Sequence, residues 1–177
     1  MNYRRPLSAS AVFLGLILSN LSALAETPSA AQYKVLASET SGLNLGTIQA
    51  FLDQGDELFL KGDFAKAREE FDKARQISKQ LLNFYRDLGG AFKGLDARIP
   101  RAMDANGRKT LEMLAESNLR LATLFRKMNQ PEVAVPLLVE VVRIMTPAKD
   151  QGQQAYQTLL ELGFVETPYA GARKNKF

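Results

Sequence analysis

Residues 62–77 read GDFAKAREEFDKARQI, and the reading of this stretch decides the fold. Gly62 stops whatever precedes it, and Asp63 carries the short acceptor side chain that caps a new helix. Phe64, Ala67, Phe71, Ala74 and Ile77 then recur at steps of three or four, which is one face of an α-helix. The stripe continues through Leu81, Leu82 and Tyr85 to Gly89-Gly90. No breaker stands between Ile77 and Leu88, so the spacing allows one long helix there.

From Thr47, Ile48, Phe51, Leu52, Leu58 and Phe59 form an earlier stripe of helical period that ends at Gly62. Beyond Gly90 the pattern loosens. Gly94 and the Ile99-Pro100 pair interrupt it, because the residue before a proline is pushed out of helical backbone. A strong helix resumes around Lys109, with Leu111, Leu114, Leu121, Leu124 and Phe125 as its apolar face. Pro131 suits the first turn of the next helix, which carries Ala134, Leu138, Val141, Val142 and Met145 and stops before Pro147. Pro136 inside it predicts a kink. A last helix spans about 153–162 and ends at Gly163. No alternating stretch of useful length occurs, so the chain reads as all-α with no sheet. The helical domain covers 47–166. A linker at 26–46, with a short extended piece at 33–36, precedes it, and a flexible basic tail at 167–177 follows.

At 177 residues the chain is sized for one domain. Residues 1–25 read as a signal peptide. Arg4 and Arg5 lead an apolar run from Ala11 to Leu18, and Ala23-Leu24-Ala25 fits the small-x-small cleavage rule. The run is well short of the roughly 20 residues a bilayer span needs, and Pro6 speaks against a twin-arginine signal. The expectation is an exported protein of the periplasm, or of the thylakoid lumen in a photosynthetic host, with no transmembrane anchor after cleavage. Of 23 basic and 19 acidic side chains, losing Arg4 and Arg5 leaves 21 against 19, a net of +2. That is too little to point to nucleic acid. The absence of Cys excludes disulfides, thiolate metal sites, a cysteine nucleophile and a lipoprotein anchor. The absence of His removes the commonest general base and transition-metal ligand.

Gly62-Asp63-Phe64-Ala65-Lys66-Ala67, with Phe71 and Ala74 after it, resembles the turn and second helix of a tetratricopeptide repeat. Upstream, Phe51-x-x-Gln54-Gly55-x-x-Leu58 is similar to the first helix, with Gln54 where leucine is usual. One repeat length beyond Gly55 stands Gly89, and Tyr85-x-x-Leu88-Gly89-x-x-Phe92 fits a second first helix. Its other half fails, since Arg101 and Ala105 stand where Ala and an aromatic belong. Asn118-x-x-Leu121-Ala122-x-x-Phe125, Ala134-x-x-x-Leu138 and Val141, closed by Pro147, make a third unit. The resemblance covers about residues 48–148 as two good units around a degenerate middle. It implies antiparallel helix pairs in a short right-handed α-solenoid, a groove lined by the first helices, and a final capping helix. So short a stack also invites self-association.

The resemblance places Asp56, then Arg86 and Lys93, then Arg120, Arg126 and Lys127 in that groove. Arg and Lys there would hold a carboxylate-bearing protein or peptide through charge-assisted hydrogen bonds. The role implied is a scaffold or assembly factor and not an enzyme. The Lys/Asn set of chaperone-binding members is missing, so that role is not carried over. Arg98, Arg101, Arg108 and Lys109, against Asp104 alone, form a second basic surface in the interrupted stretch. Asp104-x-Asn106-Gly107 lacks the remaining oxygen ligands of a calcium loop, and no metal or cofactor is expected. Glu112 and Glu116, four apart, are the pair a carboxylate hydrolase would use, but helix surfaces dotted with Glu and Lys read as solvated. The rival binding reading is an irregular bundle around a small molecule or lipid. It needs a closed apolar cavity where stacked pairs leave an open groove.

Overall fold

Asn44 opens the first helix by accepting a hydrogen bond from the Thr47 N–H at 2.9 Å. In the computed structural model, which describes residues 42–171, this cap starts α1 at Leu45–Leu60, two residues ahead of Thr47 and inside the stretch read as linker. The segments read as signal peptide and extended piece lie outside the described residues, as does the end of the basic tail. Four more helices follow and no strand occurs among the described residues: α2 Phe64–Ala91, α3 Arg98–Lys127, α4 Pro131–Met145 and α5 Asp150–Glu161. The chain is all-α, as its periodicity requires.

The turn at Gly62 and Asp63 forms as its residues dictate. Gly62 adopts a φ of 80°, which costs a glycine little, and the Asp63 carboxylate accepts from the Lys66 N–H at 3.2 Å. Pro131 starts α4, and Gly163, at a φ of 76°, ends α5. α4 continues through Pro136 as one helix.

Two expectations fail in the middle of the chain. Tyr85-x-x-Leu88-Gly89-x-x-Phe92 starts no new helix after a turn, because 28 residues run unbroken through α2. The stretch Arg98–Lys109, read as an interruption, forms the opening turns of α3. Pro100 is compatible with this because it is the third residue of α3, where a backbone N–H would find no helical acceptor anyway. α5 likewise starts at Asp150, three residues earlier than its periodicity indicates.

Each helix packs on the one before it, and α3 also touches α1 and α5. The core sits in that body. Gly55 is buried against Phe71, and a Cβ there would collide with the ring, so the Gly55 and Phe71 of one helix pair fix its close approach. Ala67, Ala74, Ala122 and Ala134 are all buried. Burying Phe71, which is 1% exposed, contributes on the order of 1.5–3 kcal/mol. Beyond Leu81 the arrangement changes. Between Leu82 and Lys109 only Gly107 is buried, so the end of α2 and the start of α3 form a two-helix hairpin that extends past the core.

Candidate partner-binding surfaces

A cleft of about 320 Å³ opens where α1, α3 and α5 meet. α1 supplies Asp56 and Phe59, α3 supplies Glu116, Leu119, Arg120 and Thr123, and α5 supplies Gln151 and Gln154, while the Phe71 ring of α2 closes the floor. Arg120 stands at its centre. Its Nε donates to both oxygens of Asp56 at 3.0 and 2.9 Å, and its Nη1 lies 2.6 Å from Glu116 Oε1. Burial opposes the charge on Arg120, yet the hydrogen bonds to Glu116 and Asp56 outweigh it and hold its pKa above the ordinary value. The structure thus brings together Asp56 and Arg120, two residues chosen from sequence. It also neutralises the cation that was expected to recruit a carboxylate, since two acids face one base.

The other four groove candidates lie elsewhere. Arg86, on the extended half of α2, and Lys93, two residues past its end, line a separate cleft of about 500 Å³ together with Arg108. Two groups assigned to different surfaces therefore meet on one hairpin, because α2 runs on instead of turning. Arg98, Arg101, Arg108 and Lys109 are exposed on the facing helix of that hairpin. Arg98 is held by Asp96, with Nη2 to Oδ2 at 2.7 Å. Arg126 and Lys127 are exposed in the last turn of α3, and Arg126 lies 3.5 Å from Glu161.

Several residues escaped the sequence reading. Arg75 donates from Nε to Asn118 Oδ1 and from Nη2 to Glu140 Oε2, both at 2.7 Å. Asn118, fully buried, donates to the same Glu140 oxygen at 3.2 Å, and Lys79 Nζ lies 3.0 Å from its other oxygen. This network ties α2, α3 and α4 together. Burial pushes the Glu140 carboxyl up, but hydrogen bonds from Arg75 and Lys79 bring it below its ordinary value. No local pattern announces it, since its members are 22 to 65 residues apart. Beside it, between α2 and α4, lies a cleft of about 630 Å³, floored by Phe125, Val133 and Leu137. The Arg68 guanidinium sits 5.4 Å above the Phe125 ring there.

Of the two carboxylates a hydrolase would pair, Glu116 is bound to Arg120, and Glu112 is exposed outside the cleft. Among the described residues no group of acids has the arrangement of a metal site, and no helix is long and apolar enough to cross a membrane. No protein-family model, curated protein or solved structure matches this chain.

Proposed function

We propose that this chain is an exported scaffold of two tetratricopeptide-like helix pairs, joined by an elongated hairpin and capped by α5. In this reading it holds a segment of a partner protein in the α1–α3–α5 cleft. The observation that carries it is the convergence of polar groups from three separate helices over an apolar floor of Phe59, Phe71 and Leu119. That combination orients and grips a bound segment. The close approach of Gly55 to Phe71, and the burial of Ala67, Ala122, Ala134 and Leu138, support the two helix pairs. The clefts open to solvent, which favours a bound chain over a ligand sealed inside a bundle. The role is binding, not catalysis.

The α2–α4 cleft is larger, but four of its charged side chains pair with one another, Arg68 with Asp72 and Arg75 with Glu140 in the structural network, so we assign the partner to the smaller site. The partner chemistry also differs from the carboxylate expected from sequence. With Asp56 and Glu116 around Arg120, the cleft favours a segment bearing a cation or amide donors. A photo-crosslinking side chain at Thr123, in this cleft, should yield one discrete adduct with an exported protein. The same group at Val139, in the α2–α4 cleft, should yield none. Adducts from Val139 alone would move the site to the other face and end this assignment.

A further inference from the structure

The hairpin carries a cleft that the scaffold reading leaves unused. It runs along the seam of α2 and α3, and its volume of about 500 Å³ is ample for several residues of a bound chain. Leu82, Tyr85 and Met103 line its floor, and Gly89 lets α2 come close to Met103 beneath it. Arg86 and Lys93 stand on one wall and Arg108 on the other. All three are exposed, and among the described residues none is in an ion pair. Asp104 is the one carboxylate in the lining. Across Leu82–Leu111 the cations Arg86, Lys93, Arg98, Arg101, Arg108 and Lys109 face only Asp87, Asp96 and Asp104.

We propose that this cleft binds an acidic peptide segment of a partner protein, laid in extended form along the α2–α3 seam with its carboxylates on Arg86, Lys93 and Arg108. The placement fits. Arg86 on α2, Lys93 in the turn just past its end and Arg108 on α3 all line the cleft, so three cations are spread along the seam for the carboxylates of one extended chain. The Tyr85 hydroxyl, in the lining, adds a neutral donor for a third carboxylate. A bilayer is the poorer occupant. These cations rim a recess with an apolar floor that a flat surface cannot enter. The hairpin's end, which a membrane would meet first, has Arg98 tied to Asp96 and Leu95 as its large exposed apolar side chain. The site is separate from the α1–α3–α5 cleft and does not depend on it.

The test is fluorescence anisotropy of the protein with labelled hexaglutamate, against labelled hexalysine and against phosphatidylglycerol vesicles. Hexaglutamate should bind with salt-sensitive affinity, hexalysine should not, and vesicles should not sediment the protein. Arg86→Glu with Lys93→Glu should weaken hexaglutamate binding by roughly tenfold or more at an unchanged thermal midpoint. The milder Arg86→Gln with Lys93→Gln should show a smaller loss in the same direction. Arg126→Glu with Lys127→Glu, an equal charge change at the far end of α3, should leave binding within about twofold. Equal losses from both reversed pairs, no binding of hexaglutamate, or binding to vesicles alone would overturn the site.

Discussion

In its first half α2 seals Ala67, Phe71 and Ala74 inside the body, whereas past Leu81 the same helix contributes no buried side chain. α3 mirrors it, with Leu114, Ala115, Leu121 and Ala122 buried beyond its midpoint and Gly107 and Thr110 alone before it. Two continuous helices thus belong to two regions with different physics. The body is held by apolar burial and a buried polar network. The hairpin is held by one seam between two helices, where Gly107 approaches Leu82 and Tyr85 and Gly89 approaches Met103. Most of the hairpin's side chains are left for solvent or a partner, and an unbalanced positive charge is displayed there. Stability and display are divided along the length of the same elements.

The sharpest way to break this division is to open the body. Phe71→Ala should cost about 3–5 kcal/mol, since it removes a fully buried ring and leaves a cavity against Gly55. Chemical denaturation should show one transition shifted to far lower denaturant, with the hairpin unfolding together with the body. A change confined to the hairpin's amides would mean that the core has been misplaced. Ala67→Arg, which forces bulk into a position with no exposure, should have an effect of similar kind.

A smaller effect tests the network. Glu140→Ala leaves the Arg75 guanidinium and the buried Asn118 amide without their shared acceptor, and should cost about 1–3 kcal/mol. The pH dependence has a definite sign. The folded pKa of Glu140 lies below its ordinary value of 4.5, so its contribution is present above that pH and is lost as the pH falls through the lowered value. Thermal midpoints measured from neutral pH downward should therefore fall below about pH 4.5, and Glu140→Gln should flatten part of that fall. An equally steep profile in the variant would assign the acid sensitivity to other carboxylates. Arg120→Ala, at the partly exposed centre of the binding cleft, should cost less, about 1 kcal/mol, because solvent screens its ion pairs.

The body was legible because it rests on local signals. The Asp63 cap, Pro131, Gly163 and the stripes around Phe71 and Leu121 each declare themselves within a few residues. The hairpin was not, for two reasons. Gly89-Gly90 and Pro100 read as breakers, yet a glycine pair within a supported helix costs only about 1 kcal/mol each, and a proline in the first turn costs little. The spacing from Gly55 to Gly89 then imitated a repeat where the chain in fact continues. The cleft was half legible. The repeat resemblance puts Asp56 and Arg120 in one groove, and both line this cleft, but their mutual pairing depends on how α1 meets α3, which no local pattern encodes. The Arg75–Asn118–Glu140 network was hidden for the same reason.

The gentlest test concerns the hairpin alone. Gly107 sits inside α3 with the nearest side-chain atoms, on Leu82 and Tyr85, at 3.9 and 4.0 Å from where a Cβ would stand. That is ordinary contact distance, so alanine fits without displacing a neighbour. It also removes the conformational entropy that a glycine loses in a helix. Gly107→Ala should therefore stabilise the hairpin by about 0.5–1 kcal/mol. Because the hairpin contributes little to the core, hydrogen exchange should slow across residues 82–111 while the amides around Phe71 and Leu121 keep their rates. Gly89→Ala is the informative contrast. Its Cβ would meet the Met103 Cβ at 3.2 Å, so the same gain in helix propensity is offset by a contact that must give way. If Gly107→Ala slowed exchange in the body as much as in the hairpin, the hairpin would have no opening of its own, and the separation of display from stability would have to be abandoned.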